Sequence, residues 1–325
     1  VRRAGRTPTL DALAGALGDL VERDVALGPL TTYRVGGPAA LFVEARAVAD
    51  LCRVRDALAE APVPMLVVGK GSNLLVADAG FPGLAVRLAA TEPSEFTAFS
   101  VGPLETMGSD ARLVRAGAAL GLPVLARRAV ETGARGLEWA VGVPGSVGGA
   151  LRMNAGGHGS DVAASLRRYG WMDLTSNAQG EDGIERLAPG YRSSSIGPAE
   201  VVLWAEFAAT AGSVDDGRAE IAQIVRWRRA NQPGGSNAGS VFTNPPGSSA
   251  GALVDRAGLK GLRLGSAEVS TKHANFIQAD EGGSADDVWR LISAVREAVA
   301  ESSGVLLATE VRLVGFDEEP SEVTT

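Results

Sequence analysis

The chain has 325 residues, 45% of them hydrophobic and 21% charged, with a net charge of −7. That length exceeds what one hydrophobic core serves, so two or three domains of a globular protein are expected. The acidic balance argues against a broad nucleic-acid surface, which needs a basic excess, and leaves room for a local basic pocket facing a small anion. Arg2, Arg3 and Arg6 precede no apolar signal region, and no run is long enough to span a bilayer, so neither export nor a membrane partner is expected.

Residues 1–20 read as a polar lead and a short Leu/Ala helix, and Leu41-Phe42-Val43 reads as a strand. Leu51, Val54 and Leu58 recur at helical spacing, predicting an amphipathic helix over 47–60. It carries the single cysteine, Cys52, which reads as a small core-facing residue and, with no disulfide partner, suits a reducing cytoplasm. Two histidines, His158 and His273, lack zinc-type spacing, so no metal site is expected. Met65–Val68 reads as a buried strand ending in Gly69-Lys70-Gly71-Ser72-Asn73, with Leu74-Leu75-Val76 directly after it. This is neither a P-loop, whose Lys follows the second glycine, nor a dinucleotide fingerprint, whose third glycine is missing. Spacing alone fits a plain turn and a phosphate loop equally, and the side-chain donors of Ser72 and Asn73 favour the ligand.

After a strand at 84–88, the Pro, Ser, Glu and Gly content of 91–110 predicts an irregular insertion or domain boundary. A strand over 113–117 and a helix through Leu122, Leu125, Ala129 and Val130 lead into the most unusual stretch, 136–159. The whole chain holds 42 glycines, above the average share of about 7%. In this stretch glycine alternates with Trp139, Val141, Val143 and Val147, unlike a flexible linker. Glycines gathered this way let backbone approach a ligand closely and turn N–H groups toward an anion. Two glycine loops, each inside a strand–helix–strand unit, imply a ligand clasped between two subdomains, 20–90 and 111–214.

Residues 165–210 read as β-rich, with Gly190-Tyr191-Arg192-Ser193-Ser194 between two strands. A helix from Asp215, with Ile221, Ile224, Val225 and Arg228 on one face, stops before Gln232-Pro233 and opens a third domain over 215–318. Ser284 and Asp287 form a capping box for a helix through Val288, Leu291, Ile292, Val295 and Val299. A strand over 309–315 closes the fold, and 319–325 reads as a disordered acidic tail.

Seven motifs in order resemble the UDP-N-acetylenolpyruvoylglucosamine reductases of the MurB type, from about Leu30 to Gly315. They are Thr32-Tyr33-Arg34-Val35-Gly36-Gly37, Gly69–Val76, Gly136–Gly159, Gly190–Ser194, Ala238-Gly239-Ser240-Val241-Phe242, Lys272-His273-Ala274-Asn275-Phe276-Ile277 and Glu310-Val311-Arg312. The resemblance implies an α+β chain: a two-subdomain FAD-binding fold of the vanillyl-alcohol-oxidase type, then a C-terminal α+β substrate domain. It implies FAD contacts at Gly69, Lys70, Gly71, Ser72 and Asn73, and at Gly142, Val143, Pro144, Gly145, Ser146, Gly148, Gly149, Asn154 and Ala155. The flavin is expected to be noncovalent, since the pyrophosphate loop has no His or Cys; His158 is the one nearby residue bearing on a covalent link, and packing is its expected role.

The reaction implied is NADPH-dependent reduction of an enolpyruvyl group on UDP-N-acetylglucosamine, through FAD, in peptidoglycan precursor synthesis. Hydride added to the terminal carbon of an enol ether leaves charge on the carbon beside the carboxylate, and that enolate needs stabilisation and a proton. By resemblance Arg192 contacts the carboxylate, Glu310 is the paired acid and Ser240 donates the proton. Taken singly, the three would read as a surface residue, an outward edge-strand residue and a turn residue. Tyr191, Asn244, Arg256, Lys272, His273 and Asn275 are the implied substrate contacts, with Gln232 beside them. Thr243 departs from the family pattern, which often has Lys there, and 205–220 has no tyrosine-bearing inserted loop. No obligate protein partner is implied. The same fold also serves flavin oxidases of other sugars or alcohols, and a noncatalytic UDP-sugar-binding module is the reading from another class.

Overall fold

The computed structural model describes residues 7–91, 94–104 and 108–316. The acidic tail at 319–325 lies outside them.

The first unit is a four-stranded sheet in the order Val21–Ala26, Pro38–Ala45, Phe81–Leu88, Met65–Val68. Its last two pairings are parallel, and the Val48–Glu60 helix makes the crossover. Leu51, Val54 and Leu58 bury on the sheet as their spacing requires, and Cys52 packs half-buried beside them. The Asp50 carboxylate starts this helix by accepting from the N–H groups of Arg46 and Ala47, at 2.7 and 3.1 Å.

The second unit is a six-stranded antiparallel sheet. Its long central strand, Glu200–Ala211, lies between Leu166–Asp173 and Ala111–Gly117. The far edge is Phe99–Pro103, preceded by a 3-10 turn that buries Phe96. Residues 91–110 are therefore not simply irregular: they supply an edge strand. Phe99 and Val101 alternate with small residues, and Gly102-Pro103, which read as loop, is tolerated because an edge strand leaves its outer N–H groups unpaired.

The Val214–Asn231 helix, expected to open the third domain, packs instead on the second. Ile221 and Ile224 bury in one cluster with Trp139, Val141 and Leu125. The helix ends at Gln232, where the chain crosses over.

The third unit has a three-stranded sheet, Arg263–Leu264, Ala267–Val269 and Ile277–Ala279, under the helices Ala250–Arg256 and Ala285–Ser303. The expected capping box is half present. Ser284 Oγ accepts from Asp287 N–H at 3.2 Å, but the Asp287 carboxylate turns to the Ser266 N–H and hydroxyl, both at 2.9 Å. The second acceptor at this helix start comes from the first unit: Asp78 accepts from Ala285 N–H at 3.0 Å and from Ser284 Oγ at 2.5 Å.

The final strand, Arg312–Val314, does not join the third sheet. It pairs in parallel with Leu74–Val76 of the first unit. Among the described residues, no helix is long and apolar enough to cross a membrane.

Candidate active site

A cleft of about 680 Å3 runs between the three units, and both glycine loops line it. The first loop, Gly69–Asn73, is pinned to its own unit: the Gly71 carbonyl accepts from Thr32 N–H at 3.1 Å. Gly71 has φ +59°, and a Cβ there would lie 2.5 Å from the Leu30 carbonyl, so only glycine fits. The second loop meets it directly. A Cβ on Gly69 would come within 2.8 Å of Ser146 Oγ, and one on Gly145 within 3.0 Å of Ser72 Oγ. Ser146 caps the short Val147–Arg152 helix through Gly149 N–H at 3.3 Å.

Of the residues predicted to hold a cofactor, Gly69, Lys70, Gly71, Ser72, Asn73, Gly142, Val143, Pro144, Gly145, Ser146, Gly149 and Ala155 line this cleft. Gly148 lines a narrow apolar branch between Val68, Ala119 and Val202. A polar waist made of close-packed glycine backbone, with an apolar branch beside it, fits a long ligand with a diphosphate centre and flat rings, as FAD is. Asn154 is not among the residues that line the cleft. It is buried off the cleft, donating to the Gly190 carbonyl at 3.0 Å and accepting from Ala163 N–H at 3.0 Å. Its amide holds the turn that carries Arg192.

That turn closes through a Gly190–Ser193 bridge and puts Arg192 at φ +57°, a left-handed conformation that costs a non-glycine residue ~1–2 kcal/mol. The guanidinium reaches the cleft, where Nε lies 3.0 Å from Glu310 Oε1 and Nη2 donates to the Gly156 carbonyl at 3.2 Å. Burial pushes the Glu310 carboxyl above the usual carboxylate range, and the adjacent Arg192 opposes that shift without cancelling it. Ser240 lines the same cleft beside Gly239, which sits at φ +78°. The next residue, Val241, is a joint: its N–H donates to the Asn275 carbonyl at 2.9 Å, and its carbonyl accepts from Glu310 N–H at 2.7 Å. The structure thus brings Arg192, Ser240 and Glu310 to one wall.

The expected substrate contacts behave differently. Tyr191, Asn244, Arg256, Lys272, His273 and Asn275 are not among the residues lining the cleft. Asn275 is buried and fully used, bonding both the N–H and the carbonyl of Phe242 at 3.0 and 2.8 Å; it shapes the Ser240 loop. Tyr191 is 60% exposed, with its hydroxyl 3.4 Å from Asn244 Nδ2. Lys272 Nζ donates to the Arg229 carbonyl at 2.5 Å, and Arg256 reaches Ser248 at 3.4 Å. The half-buried His273 accepts from Asn275 N–H at 3.2 Å and packs on Phe276. His158 lies outside the cleft lining, its ring against Gly142 and edge-on to Trp227 at 5.3 Å. Burial and then Arg228 hold its imidazole below the usual histidine range. These contacts match a packing role.

Cationic lining was missed. Arg152, Arg228 and Arg312 all face the cleft, and Gln232 lies beside Arg228. Arg228 donates to the Gly142 carbonyl and, through Nε, to Gln232 at 2.7 Å. The spacing of four between Arg228 and Gln232 at a helix end was the available signal.

Comparison with known proteins now bears on this geometry. Residues 39–173 match a family of FAD binding domains, and residues 231–314 match the C-terminal domain of UDP-N-acetylenolpyruvoylglucosamine reductase. A UDP-N-acetylenolpyruvoylglucosamine reductase of Rubrobacter xylanophilus is 39% identical over 90% of this chain and 94% of its own. The chain belongs to that family. A second member, from Symbiobacterium thermophilum, is 40% identical over 88% of this chain and 90% of its own. The crystal structure of the family's enzyme from Thermus caldophilus superposes with a TM-score of 0.75 at 35% identity, covering 90% of this chain and 98% of that one. The protein is an FAD-binding oxidoreductase with the family's two-part architecture, an FAD-binding region followed by the reductase C-terminal domain.

Proposed function

We propose that this protein reduces the enolpyruvyl group of UDP-N-acetylglucosamine-enolpyruvate to UDP-N-acetylmuramate, with NADPH as co-substrate and noncovalently held FAD, as a step of peptidoglycan precursor synthesis. The observation that carries the reading is the Arg192–Glu310 pair, 3.0 Å apart, on the cleft wall that also carries Ser240. The noncovalent reading is supported by the cleft lining, which among the described residues includes no histidine or cysteine. A cytoplasmic setting is supported by the free Cys52 thiol.

When bound, FAD supplies the hydride that NADPH provides. The protein's part is binding, orientation and proton control. Backbone N–H groups of the two glycine loops would hold the diphosphate, and the mostly apolar cavity beside Gly148 would exclude water from a ring. Arg192 engages the substrate carboxylate through its planar fork. As negative charge develops beside that carboxylate, the guanidinium stabilises it, and Glu310, kept protonated by burial, donates a hydrogen bond to the same oxygens. Ser240 Oγ then delivers the proton to the enolate carbon. Arg228 and Arg312 add positive charge along the cleft, where the UDP diphosphate of the substrate would lie.

The first test is the visible spectrum of the purified protein: a flavin spectrum is expected, and a colourless protein that takes up no FAD overturns the reading. In the holoenzyme, Ser240→Ala is expected to leave flavin reduction by NADPH within about twofold while slowing reoxidation by the enolpyruvyl substrate ~100-fold. Equal losses in both half-reactions would remove Ser240 from the proton-donor role.

A further inference from the structure

The first glycine loop ends in a residue whose side chain does not serve the loop. Asn73 Nδ2 donates to the Glu310 carbonyl at 2.9 Å, across 237 positions of sequence. Its own carbonyl accepts from Arg312 N–H at 3.0 Å, and the next residue, Leu74, begins the parallel pairing with Arg312. Glu310 is therefore held at both ends of its backbone: N–H by the Val241 carbonyl at 2.7 Å, next to Ser240, and carbonyl by Asn73. The loop that delivers this hold is itself anchored, since Thr32 N–H and the buried surroundings of Gly71 fix it to the first unit.

We propose that Asn73 is a positioning residue that couples the first glycine loop to Glu310, so that a loop seated on the cofactor holds the Glu310 carboxyl against Arg192. This rests on the reading of Glu310 given above. It reassigns Asn73 from cofactor ligand to mechanical link. One N–H of the amide is given to the Glu310 carbonyl, so the side chain is oriented toward the Glu310 backbone, and the loop's other donors, the backbone N–H groups of Gly69–Ser72, are left to the cofactor.

The test uses Asn73→Asp, which keeps the shape and loses the donor, and Asn73→Ala as a second variant, each checked for folding by thermal melting. Hydrogen–deuterium exchange is followed over residues 308–314, with and without FAD. In the parent, FAD is expected to slow exchange there. Both variants are expected to exchange about fivefold faster without FAD, the size of one net hydrogen bond, and to lose the FAD-dependent protection. FAD affinity is expected to stay within about threefold, and reoxidation by the enolpyruvyl substrate to fall ~10-fold with flavin reduction by NADPH intact. Because a displaced Glu310 meets more solvent, the pH profile of reoxidation is expected to shift toward lower pH in Asn73→Ala, which adds no charge of its own. Unchanged exchange at 308–314 in both variants overturns the link and leaves the functional reading standing. A loss of FAD affinity of tenfold or more restores Asn73 as a cofactor ligand and overturns it too. A parent protein that binds FAD but never passes electrons to the substrate overturns the functional reading, and the exchange arm still decides the link.

Discussion

The third unit meets its two neighbours through seams of opposite kind. Against the first unit it buries one continuous apolar cluster, in which Tyr33, Val35 and Leu75 pack with Val241, Leu291 and Val311. The Arg312–Val314 pairing, the Asp78 cap and the Asn73 amide reinforce it. Against the second unit no buried apolar cluster is shared among the described residues. The contacts there are side chains with polar tips: Arg192 on Glu310, Tyr191 on Asn244, Lys272 on the Arg229 carbonyl. Each buried aliphatic residue of the first seam is worth about 1.5–3 kcal/mol, whereas a hydrogen bond exchanged against water is worth ~0.5–1.5 kcal/mol net. The second unit's core does continue into the first through Phe96, Ala119, Met172 and Val201. The cleft thus opens along a seam that, among the described residues, is held by polar contacts and not by a shared apolar core.

Cutting into the tight seam has the largest expected effect. Leu75→Ala removes a fully buried side chain from the shared cluster and is expected to cost ~2–5 kcal/mol, read by denaturant unfolding. A loss under about 1 kcal/mol would show the seam to be looser than its burial implies.

The loose seam is probed by Glu310→Gln, whose amide matches the shape of the protonated carboxyl and is expected to change stability by no more than ~1 kcal/mol at neutral pH while abolishing substrate turnover. The sign of its pH dependence follows from burial. The folded Glu310 carboxyl holds its proton above the ordinary value of 4.5, so the stability it contributes is full below that pH and declines as pH rises through the folded value. Unfolding free energy measured against pH should therefore fall across that window in the parent and be flatter in the variant; parallel curves would contradict the burial argument.

The smallest change sharpens the tight seam. The Tyr33 hydroxyl is fully buried there without a hydrogen-bond partner. Tyr33→Phe removes an unsatisfied group and is expected to raise stability by up to ~1 kcal/mol, read as a small upward shift in Tm. A clear destabilisation would mean that the hydroxyl is satisfied.

Much of the site was legible because its signals are local. Glycines at 69–71 and 142–149, and the motifs around Arg192, Ser240 and Glu310, stand out residue by residue, and the structure sets them along one cleft. Side-chain partners distant in sequence were not legible. Asn154 and Asn275 lie in the right segments, yet their amides serve the Gly190 and Phe242 backbones. Arg312 belongs to a motif read for Glu310 alone, and both it and Arg152 become cleft residues only when three units meet. The edge strand at Phe99–Pro103 was hidden by the Gly-Pro that an unpaired edge permits.

By itself, the sequence determined the helices and strands whose apolar residues recur at a regular period, and the two loops where glycine lets backbone come close to a ligand. Tertiary structure alone decided that the Val214–Asn231 helix serves the second unit and that the closing strand returns to Leu74–Val76. Periodicity reports which face of an element is apolar, never which partner covers it, and strand pairing at that separation is chosen by the burial of Leu75 and Val311 in one cluster.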